Sequence, residues 1–209
     1  MKERIKRQYS GVYYKRYVMG EWCMAEGSIY DMYSEERNLF DDLDIIPELY
    51  IGSVDYGTST VCVFCLFAVY RNQIRLVKEN YYDAVRQGRQ KTDSEYVRDW
   101  SEFVNGYKVE YGYVDPSALS FRLALWRSGF EYFYNANNDV LDGIRYVQNK
   151  LRDGTFKIRK QCIEARKQML SYVWDNKSQK LGIDKPLKQQ DHIADAMRYG
   201  IYSYYKTVI

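Results

Sequence analysis

The sequence predicts an α/β fold in which helices cover both faces of a mixed central sheet of about five or more strands. Residues 50–70 contain two β-rich runs on either side of Tyr56-Gly57-Thr58, which predicts an antiparallel hairpin. From residue 93 onward, capped helical segments alternate with short apolar runs. The first of these helices should act as a right-handed crossover that returns the next strand to the side of the first strand.

The N-terminal region, residues 1–47, differs in composition from the rest of the chain. It contains short mixed runs and the acidic stretch Asp41-Asp42-Leu43-Asp44, and no long amphipathic period emerges from it. We expect a linker or arm that packs on the main domain, which would comprise residues 48–209. An ordinary N-terminal β-extension of that domain is the alternative.

The first half of the main domain predicts three strands and a helix. The strands are expected over residues 49–55, 60–70 and 73–82. A polar segment with Arg86, Arg89 and Lys91 follows, and it predicts a mobile loop that either contacts DNA phosphates or is simply solvated. Thr92 and Glu95 have the spacing of a capping box, which predicts a helix over residues 93–106.

The second half predicts alternating strands and helices. Pro116 is suited to the first position of a helix, and Gly129 is suited to ending it. A short strand should precede this helix at residues 111–115. The later elements are expected at residues 130–134 (strand), 139–152 (helix), 156–158 (strand), 160–175 (helix) and 190–205 (helix).

Acidic residues stand where these elements should meet. Asp55 and Asp115 end strands predicted to be parallel neighbours, so both carboxylates should lie at the same edge of the sheet. Asp191, Asp195 and the single histidine, His192, begin the last helix at spacings that share a helical face. Clustered carboxylates repel one another, and a divalent ion removes that repulsion. Carboxylate oxygens suit Mg²⁺ or Mn²⁺, and the imidazole favours Mn²⁺. Taken singly, each acid also fits a solvated face, a cap or a turn.

Charge, cysteines and apolar runs exclude several classes of protein. A net charge of +3 does not indicate a general nucleic-acid surface, so any DNA-binding surface must be local. Residues 61–70 form the longest uncharged apolar run, which is too short to span a bilayer, and the N-terminus lacks a secretory signal. Cys62 and Cys65 form a C-x-x-C, but an offset of three on a strand places them on opposite faces. We expect buried thiols in a cytosolic protein, with a zinc-stabilised domain as the alternative.

The order of the acids, first strand, parallel strand and late helix, is that of ribonuclease H-like nucleases. The chain also resembles the C-terminal nuclease domain of the large terminase subunit of tailed bacteriophages. SVDYGTST resembles the first acidic motif of that family, YGYVDPSALSF the second and KPLKQQDHIADAMRYGI the third. RYVMGEWCMAEGSIYDMY resembles the segment that joins the motor ATPase to the nuclease.

The resemblance implies a two-metal endonuclease that cuts double-stranded viral DNA concatemers during genome packaging in the cytoplasm of the bacterial host. Asp55, Asp115 and Asp195 would be the metal-binding acids, with His192 beside them and a less defined role for Asp191. The implied partners are the terminase ATPase domain, the small terminase subunit and the portal. Nothing in the sequence matches G-x-x-x-x-G-K-[ST], so we expect an excised domain or a shortened prophage gene.

Two further points remain open from the sequence. Lys185 and Lys188, just before the last helix, are predicted to contact DNA phosphates or to lie in a solvated loop. Another ribonuclease H-like enzyme, such as a junction resolvase or transposase, fits the same residues. So does a catalytically silent DNA-binding or docking module of a packaging motor.

Overall fold

The computed structural model describes residues 27–208, and over this range the chain forms seven strands and eight helices. The strands are β1 (Leu39–Phe40), β2 (Leu49–Asp55), β3 (Val61–Tyr70), β4 (Gln73–Asp83), β5 (Val109–Val114), β6 (Phe133–Asn135) and β7 (Phe156–Arg159). The helices are α1 (Glu35–Asn38), α2 (Ala84–Gln87), α3 (Asp93–Phe103), α4 (Leu119–Arg127), α5 (Val140–Arg152), α6 (Ile163–Ser171), α7 (Asn176–Gln179) and α8 (His192–Val208).

The strands form one mixed sheet in the order β1-β7-β4-β3-β2-β5-β6. Its centre is antiparallel, because β2, β3 and β4 are joined by two successive hairpins. Toward one edge, β5 pairs parallel with β2, and β6 pairs parallel with β5. Toward the other edge, β7 pairs parallel with both β4 and β1. The predicted α/β fold is confirmed, including the parallel pairing of the first predicted strand with the fourth.

The sheet has a core on each face, because strand side chains alternate in direction. Val63, Cys65 and Phe67 of β3 face a core that includes residues of α5, α6 and α8. Cys62 and Phe64 face the other core, which includes residues of α3 and α4. This two-sided burial explains why β3 reads as a continuous apolar run. Over residues 27–208, no helix combines the length and the apolar character that a membrane span needs.

Helix α3 begins at the predicted capping box and packs closely on β2. The Thr92 backbone N–H donates to Glu95 Oε2 at 2.9 Å, and the Glu95 backbone N–H donates to Thr92 Oγ1 at 3.3 Å. Trp100 of α3 is fully buried and lies over Gly52 of β2. A Cβ atom at Gly52 would clash with the Trp100 ring, so only glycine allows this approach.

The region before β2 contains a short helix that the sequence did not indicate and a short strand, which fits the alternative of a β-extension. Asn38, at the end of α1, is fully buried, and its Nδ2 donates to the Leu151 and Phe156 carbonyls at 2.9 Å and 3.1 Å. β1 follows directly and becomes an edge strand beside β7. Ile29 and Tyr30 are also buried in the core. Residues 27–40 therefore pack on the main domain, while the predicted boundary at residue 47 stays a prediction, and residues 1–26 lie outside the described range.

Several predicted segments differ from the structure in extent. The helix expected over residues 160–175 is α6, which ends at Ser171, and the helix expected to begin at Pro116 is α4, which begins at Leu119. The segment expected to be a mobile loop begins with α2, because the Asp83 carboxylate accepts from the Val85 and Arg86 backbone N–H groups at 3.0 Å each. The strand expected over residues 130–134 is β6, three residues further on, because Gly129 takes a φ of 91° and the chain must first turn. The last helix begins at His192 rather than at Gln190, whose φ is 53°.

Candidate active site

Helix α8 brings the acids of the last motif to the end of β2. The Ser53 hydroxyl of β2 donates to the Ala196 carbonyl of α8 at 2.6 Å. One turn further along, Gly200 lies against β3, where a Cβ atom would be 2.6 Å from Phe67 Cε2 and 3.1 Å from Ser53 Oγ. Small side chains on both elements therefore allow α8 to lie close to the sheet, with its first turn beyond the carboxyl end of β2.

Asp55 and His192 form one part of the site. Asp55 is the last residue of β2, and its Oδ2 lies 2.9 Å from His192 Nδ1. Burial raises the pKa of Asp55, although the hydrogen bond with His192 opposes the rise, and the negative charges of Asp195 and Asp191 add to it. The same hydrogen bond raises the pKa of His192. The two groups thus share a proton more readily than isolated groups would.

Asp115 forms a second part, directly after β5. Its Oδ1 accepts from the Ser117 backbone N–H at 2.8 Å and from the Ser117 hydroxyl at 2.5 Å. Its Oδ2 accepts from the Tyr199 hydroxyl of α8 at 2.6 Å. Burial by itself would raise the pKa of Asp115, but the hydrogen bonds from Ser117 and Tyr199 hold that pKa below its usual value. Asp115 is therefore kept ionised.

Asp191 and Asp195 form a third part with two cations. The Lys188 ammonium lies 3.0 Å from Asp191 Oδ2 and 3.0 Å from Asp195 Oδ2. Asp195 Oδ1 accepts from a nitrogen of the buried Arg198 guanidinium at 3.0 Å. The Asp191 contact has ion-pair distance without hydrogen-bond geometry, so that buried oxygen keeps an unused lone pair. Burial opposes the charge on Lys188, but the Asp195 and Asp191 carboxylates raise its pKa.

Asn138 connects the second part to the third. Its Nδ2 lies 3.4 Å from Asp115 Oδ2, and its Oδ1 lies 3.4 Å from the Arg198 guanidinium. The sequence reasoning did not select Asn138, Arg198, Tyr199 or Ser117. Arg198 has a signal in the sequence, since it stands three residues after Asp195 on the same helical face. Ser117 also has one, because it stands only two residues after Asp115. The contacts of Asn138 and Tyr199 with Asp115 join residues that are 23 and 84 positions apart.

The five predicted residues therefore lie in one region without forming a ready-made cage. Within residues 27–208, no three side chains of His, Cys, Asp or Glu are arranged so that they could hold an ion by themselves. Instead, each carboxylate contacts a hydrogen-bond donor or a cation, and Asp191 and Asp195 share Lys188. The donor set still fits a divalent ion, because it consists of carboxylate oxygens and one imidazole, and because Asp191 retains a buried oxygen without a hydrogen bond.

The residues predicted to contact DNA have different surroundings. Arg89 is ion-paired with Glu95, and the Lys91 ammonium lies 2.6 Å from Asp99. Arg86 and Lys185 have exposed side chains. Lys188 faces the acids, although its side chain is 56% exposed. DNA contact by these five residues stays a prediction.

The cysteines of the described residues are free and buried. Cys62 and Cys65 lie in the cores on opposite faces of the sheet, as predicted, so they cannot bind one ion together. Burial raises the pKa of Cys62, Cys65 and Cys162. Cys23 lies outside the described residues.

Thiol reactivity tests this arrangement. In a Cys23→Ser background, we expect no reaction of the native protein with a thiol-specific disulfide reagent, and reaction of three thiols after unfolding in urea, because buried thiols form little thiolate. Replacing Cys62 by Ala and Cys65 by Val should cost some core packing and leave metal binding unchanged. Zinc bound to the parent protein and lost from that double variant would contradict the prediction.

The Asp55–His192 pair predicts a pH dependence of stability. Because its pKa is raised in the folded state, His192 stabilises that state fully below its unfolded pKa of about 6.5. This contribution is lost as the pH rises through the folded pKa. In EDTA, the difference in unfolding free energy between the parent and His192→Asn, measured by urea titration, should therefore shrink above about pH 6.5. In an Asp55→Asn background the difference should no longer depend on pH; a difference that grows with pH would contradict the assignment.

Comparisons with known proteins extend over nearly the whole chain, although no family model matches it. Over 98% of its length the chain is similar to the large terminase of a thermophilic bacteriophage, with a TM-score of 0.81 and 40% identity, and it covers 52% of that protein. It is 26% identical over 213 residues to the large terminase subunit of Escherichia phage T5, a match of 96% of this chain and 47% of that protein. The chain thus spans about half the length of these relatives.

Isolated nuclease domains show the same fold. The P22 large terminase nuclease domain matches with a TM-score of 0.69 and 16% identity, covering 88% of this chain and 94% of that domain. The SPP1 large terminase nuclease domain, solved with bound Mn, matches with a TM-score of 0.52 and 15% identity, covering 81% of this chain and 97% of that domain. The half of the large terminases that this chain matches is therefore the half with the nuclease-domain fold.

Proposed function

Because this chain belongs with the nuclease domains of bacteriophage large terminases, we propose that it is a divalent-metal-dependent endonuclease that cuts double-stranded viral DNA concatemers during genome packaging. One observation carries the proposal. Asp55 and Asp115 end neighbouring parallel strands, and α8 brings Asp191, His192 and Asp195 to the same edge of the sheet. In α/β sheets, ligands bind beyond the carboxyl ends of such strands.

Asp55, Asp115 and Asp195 would hold the two Mg²⁺ or Mn²⁺ ions, with His192 and Asp191 beside them. When bound, such ions make a water molecule a better nucleophile and stabilise the leaving oxygen of the phosphodiester. The SPP1 nuclease domain is solved with bound Mn, which supports the use of a divalent ion. The residues of this chain supply the binding site, its charge balance and the groups that hold its protons.

The proton held in the site lies at Asp55. Its raised pKa and its hydrogen bond with His192 mean that one proton is readily held between Oδ2 and Nδ1. An anionic carboxylate binds a cation more strongly than a protonated one, so ion binding at Asp55 favours release of this proton. We therefore assign His192 the role of holding or accepting the proton that Asp55 gives up, and ion affinity should rise with pH.

The charge balance centres on Lys188. Its ammonium lies between Asp191 and Asp195 and so occupies a position that favours a cation. The Lys188 side chain is largely exposed and long, so it can leave without disturbing the core. A positive charge then lies between Asp191 and Asp195 both with and without a divalent ion.

Replacing Lys188 tests this role. Lys188→Met should bind Mn²⁺ about two- to fivefold more tightly, because an ion pair with an exposed partner contributes up to about 1 kcal/mol and no longer has to be broken. Lys185→Met, at a nearby exposed position, is the matched control and should leave the affinity unchanged. Titration calorimetry measures both. Weaker Mn²⁺ binding by Lys188→Met would show that Lys188 does not compete with the ion.

DNA would be held through its phosphates rather than its bases. Four of the side chains predicted to contact DNA are exposed, namely Arg86, Arg89, Lys185 and Lys188, and two of these, Arg89 and Lys188, are ion-paired with acids. No base-reading element is evident among the described residues. By this proposal the place and time of cutting come from the partners, namely the ATPase domain of the large subunit, the small terminase subunit and the portal, in the cytoplasm of the bacterial host. The same proposal makes residues 1–47 the link to the ATPase.

The test is incubation of the chain with supercoiled plasmid in Mn²⁺, Mg²⁺ or EDTA. We expect nicking and linearisation at many positions with either ion, none in EDTA, and a steep fall in rate between low and physiological salt, because phosphate contacts weaken as salt rises. A single preferred cleavage sequence that is insensitive to salt would contradict the model of phosphate-only contact. Cleavage of branched but not linear duplex would instead indicate a junction resolvase.

One observation favours a second candidate, a catalytically silent DNA-binding or docking module. Each acid of the site contacts a hydrogen-bond donor or a cation, and the described residues contain no ready-made ion cage. DNA binding that is independent of metal and never followed by nicking would support this candidate.

A further inference from the structure

Two adjacent residues of α8, Arg198 and Tyr199, hold acids that come from different elements of the fold. The Tyr199 hydroxyl donates to Asp115 Oδ2, which lies beyond β5, at 2.6 Å. The Arg198 guanidinium donates to Asp195 Oδ1, one turn earlier on α8, at 3.0 Å. Consecutive helical residues point about 100° apart, so one dipeptide can reach both sides of the site.

These contacts orient each carboxylate rather than merely neutralise it. Asp195 Oδ1 is held by Arg198, which is 1% exposed, whereas Oδ2 is held by Lys188, which is exposed. The oxygen on the open side is therefore the one whose partner can leave. Asp115 is fixed through both oxygens, by Ser117 on one and Tyr199 on the other.

The packing around Arg198 accommodates a buried guanidinium that contributes little to the stability of the fold. A Cβ atom at Gly143 of α5 would lie 2.7 Å from Arg198 Cγ, so the neighbouring helix has glycine where the side chain passes. Two of the three Arg198 nitrogens, Nε and Nη1, have no hydrogen-bond partner among residues 27–208. A buried cation with so few partners contributes little to stability compared with an apolar side chain of similar volume. The arrangement is better explained by what Arg198 does to Asp195.

We propose that Tyr199 and Arg198 are positioning residues that fix the Asp115 and Asp195 carboxylates in the orientation that binds divalent ions. This inference rests on the proposed metal-dependent function and adds two residues to its site. Tyr199 acts through Asp115, and Arg198 acts through Asp195. Asn138 lies 3.4 Å from both Asp115 and Arg198, so it connects the Tyr199–Asp115 contact to the Arg198–Asp195 contact.

Mn²⁺ binding, followed by calorimetry and by the spin resonance of free Mn²⁺, tests the role of Tyr199 without any activity assay. In Tyr199→Phe, which loses a single oxygen, we expect the Mn²⁺ dissociation constant to rise about 10- to 100-fold, the usual effect of removing a partner of a metal ligand. Tyr205→Phe, a tyrosine of the same helix that stacks on Tyr146 outside the site, is the matched control and should bind Mn²⁺ like the parent.

A double-mutant cycle separates positioning from a general loss of structure. In an Asp115→Asn background, Tyr199→Phe should cause no further loss of Mn²⁺ affinity, because the carboxylate through which it acts is gone. If Tyr199 has a purely structural role, Tyr199→Phe should have a lower melting temperature and the same Mn²⁺ dissociation constant as the parent. That outcome, or an equal loss of affinity in both backgrounds, would overturn the inference.

Arg198 is tested by two variants because the more drastic one risks the fold. Arg198→Lys keeps the charge and should retain part of the Mn²⁺ affinity, whereas Arg198→Met should lose more, in folded protein verified by circular dichroism. Equal affinity of both variants to the parent would overturn the role of Arg198. The proposed function fails if the parent does not bind Mn²⁺, or if Asp55→Asn binds it as tightly as the parent does. If the parent binds Mn²⁺ through Asp55 and Tyr199→Phe has the same dissociation constant as the parent, only the positioning inference fails.

Discussion

Asp55→Asn is expected to abolish metal-dependent cleavage of plasmid DNA while leaving the fold intact. The substitution keeps the size of the side chain and a partner for His192, but it removes the negative charge at the end of β2. Loss of one electrostatic contact at a reacting centre typically costs about 10²–10³-fold in rate, and loss of an ion ligand should cost at least that. Because burial disfavours the Asp55 charge, the variant should be at least as stable as the parent in EDTA.

Plasmid nicking in Mn²⁺ and urea unfolding in EDTA measure the two parts of this prediction. Asp142→Asn is the matched control, because Asp142 is an exposed acid of α5 that pairs with Arg145. It should cut like the parent. If Asp55→Asn nicks plasmid at the parent rate, Asp55 is not an ion ligand and the site has been assigned wrongly.

Gly200→Ala is expected to lower the free energy of unfolding, although it adds only one methyl group. The new Cβ would lie 2.6 Å from Phe67 Cε2, in the fully buried contact between α8 and β3. Overpacking of a core typically costs about 1–3 kcal/mol, which exceeds the gain of up to about 1 kcal/mol from replacing glycine by alanine within a helix. Gly200→Val should cost more, because it adds further volume at the same contact.

The same change should also weaken Mn²⁺ binding, because α8 carries His192 and Asp195 and would move away from Asp55. Urea unfolding and Mn²⁺ titration follow both effects. Phe67→Leu shortens the side chain that the new methyl group meets, so combining it with Gly200→Ala should recover part of the stability lost in Gly200→Ala. Additive losses in the double variant would show that the clash with Phe67 is not the cause.

The sequence by itself determined the fold class and most of the sheet. The runs around Tyr56-Gly57 predicted the hairpin of β2 and β3, and the Thr92–Glu95 capping box located the start of α3 to the residue. Such signals are local, since they depend on side chains a few positions apart, and local preference and tertiary packing agree at these positions. The chirality of crossover connections then predicted that β5 would lie beside β2.

The sequence also supplied the candidate acids, because strand-end and helix-start positions can be recognised from local patterns. It could not supply the partners that come from distant parts of the chain. Tyr199 and Asp115 are separated by 84 positions, and Asn38 reaches carbonyl groups more than 100 positions away. No short-range pattern encodes such pairs, because each depends on how two elements are placed after the chain has folded.

Tertiary structure alone decided the charge balance of the site and the closeness of α8 to the sheet. From its position before a helix, Lys188 is predicted to contact phosphate or to lie in a solvated loop. In the fold its ammonium lies between Asp191 and Asp195. Glycine by itself disfavours a helix interior, whereas in the fold Gly200 is where α8 meets Phe67. The physical reason is the same in both cases. The energy of a charge or of a missing Cβ atom depends on which atoms surround it, and those atoms come from distant parts of the chain.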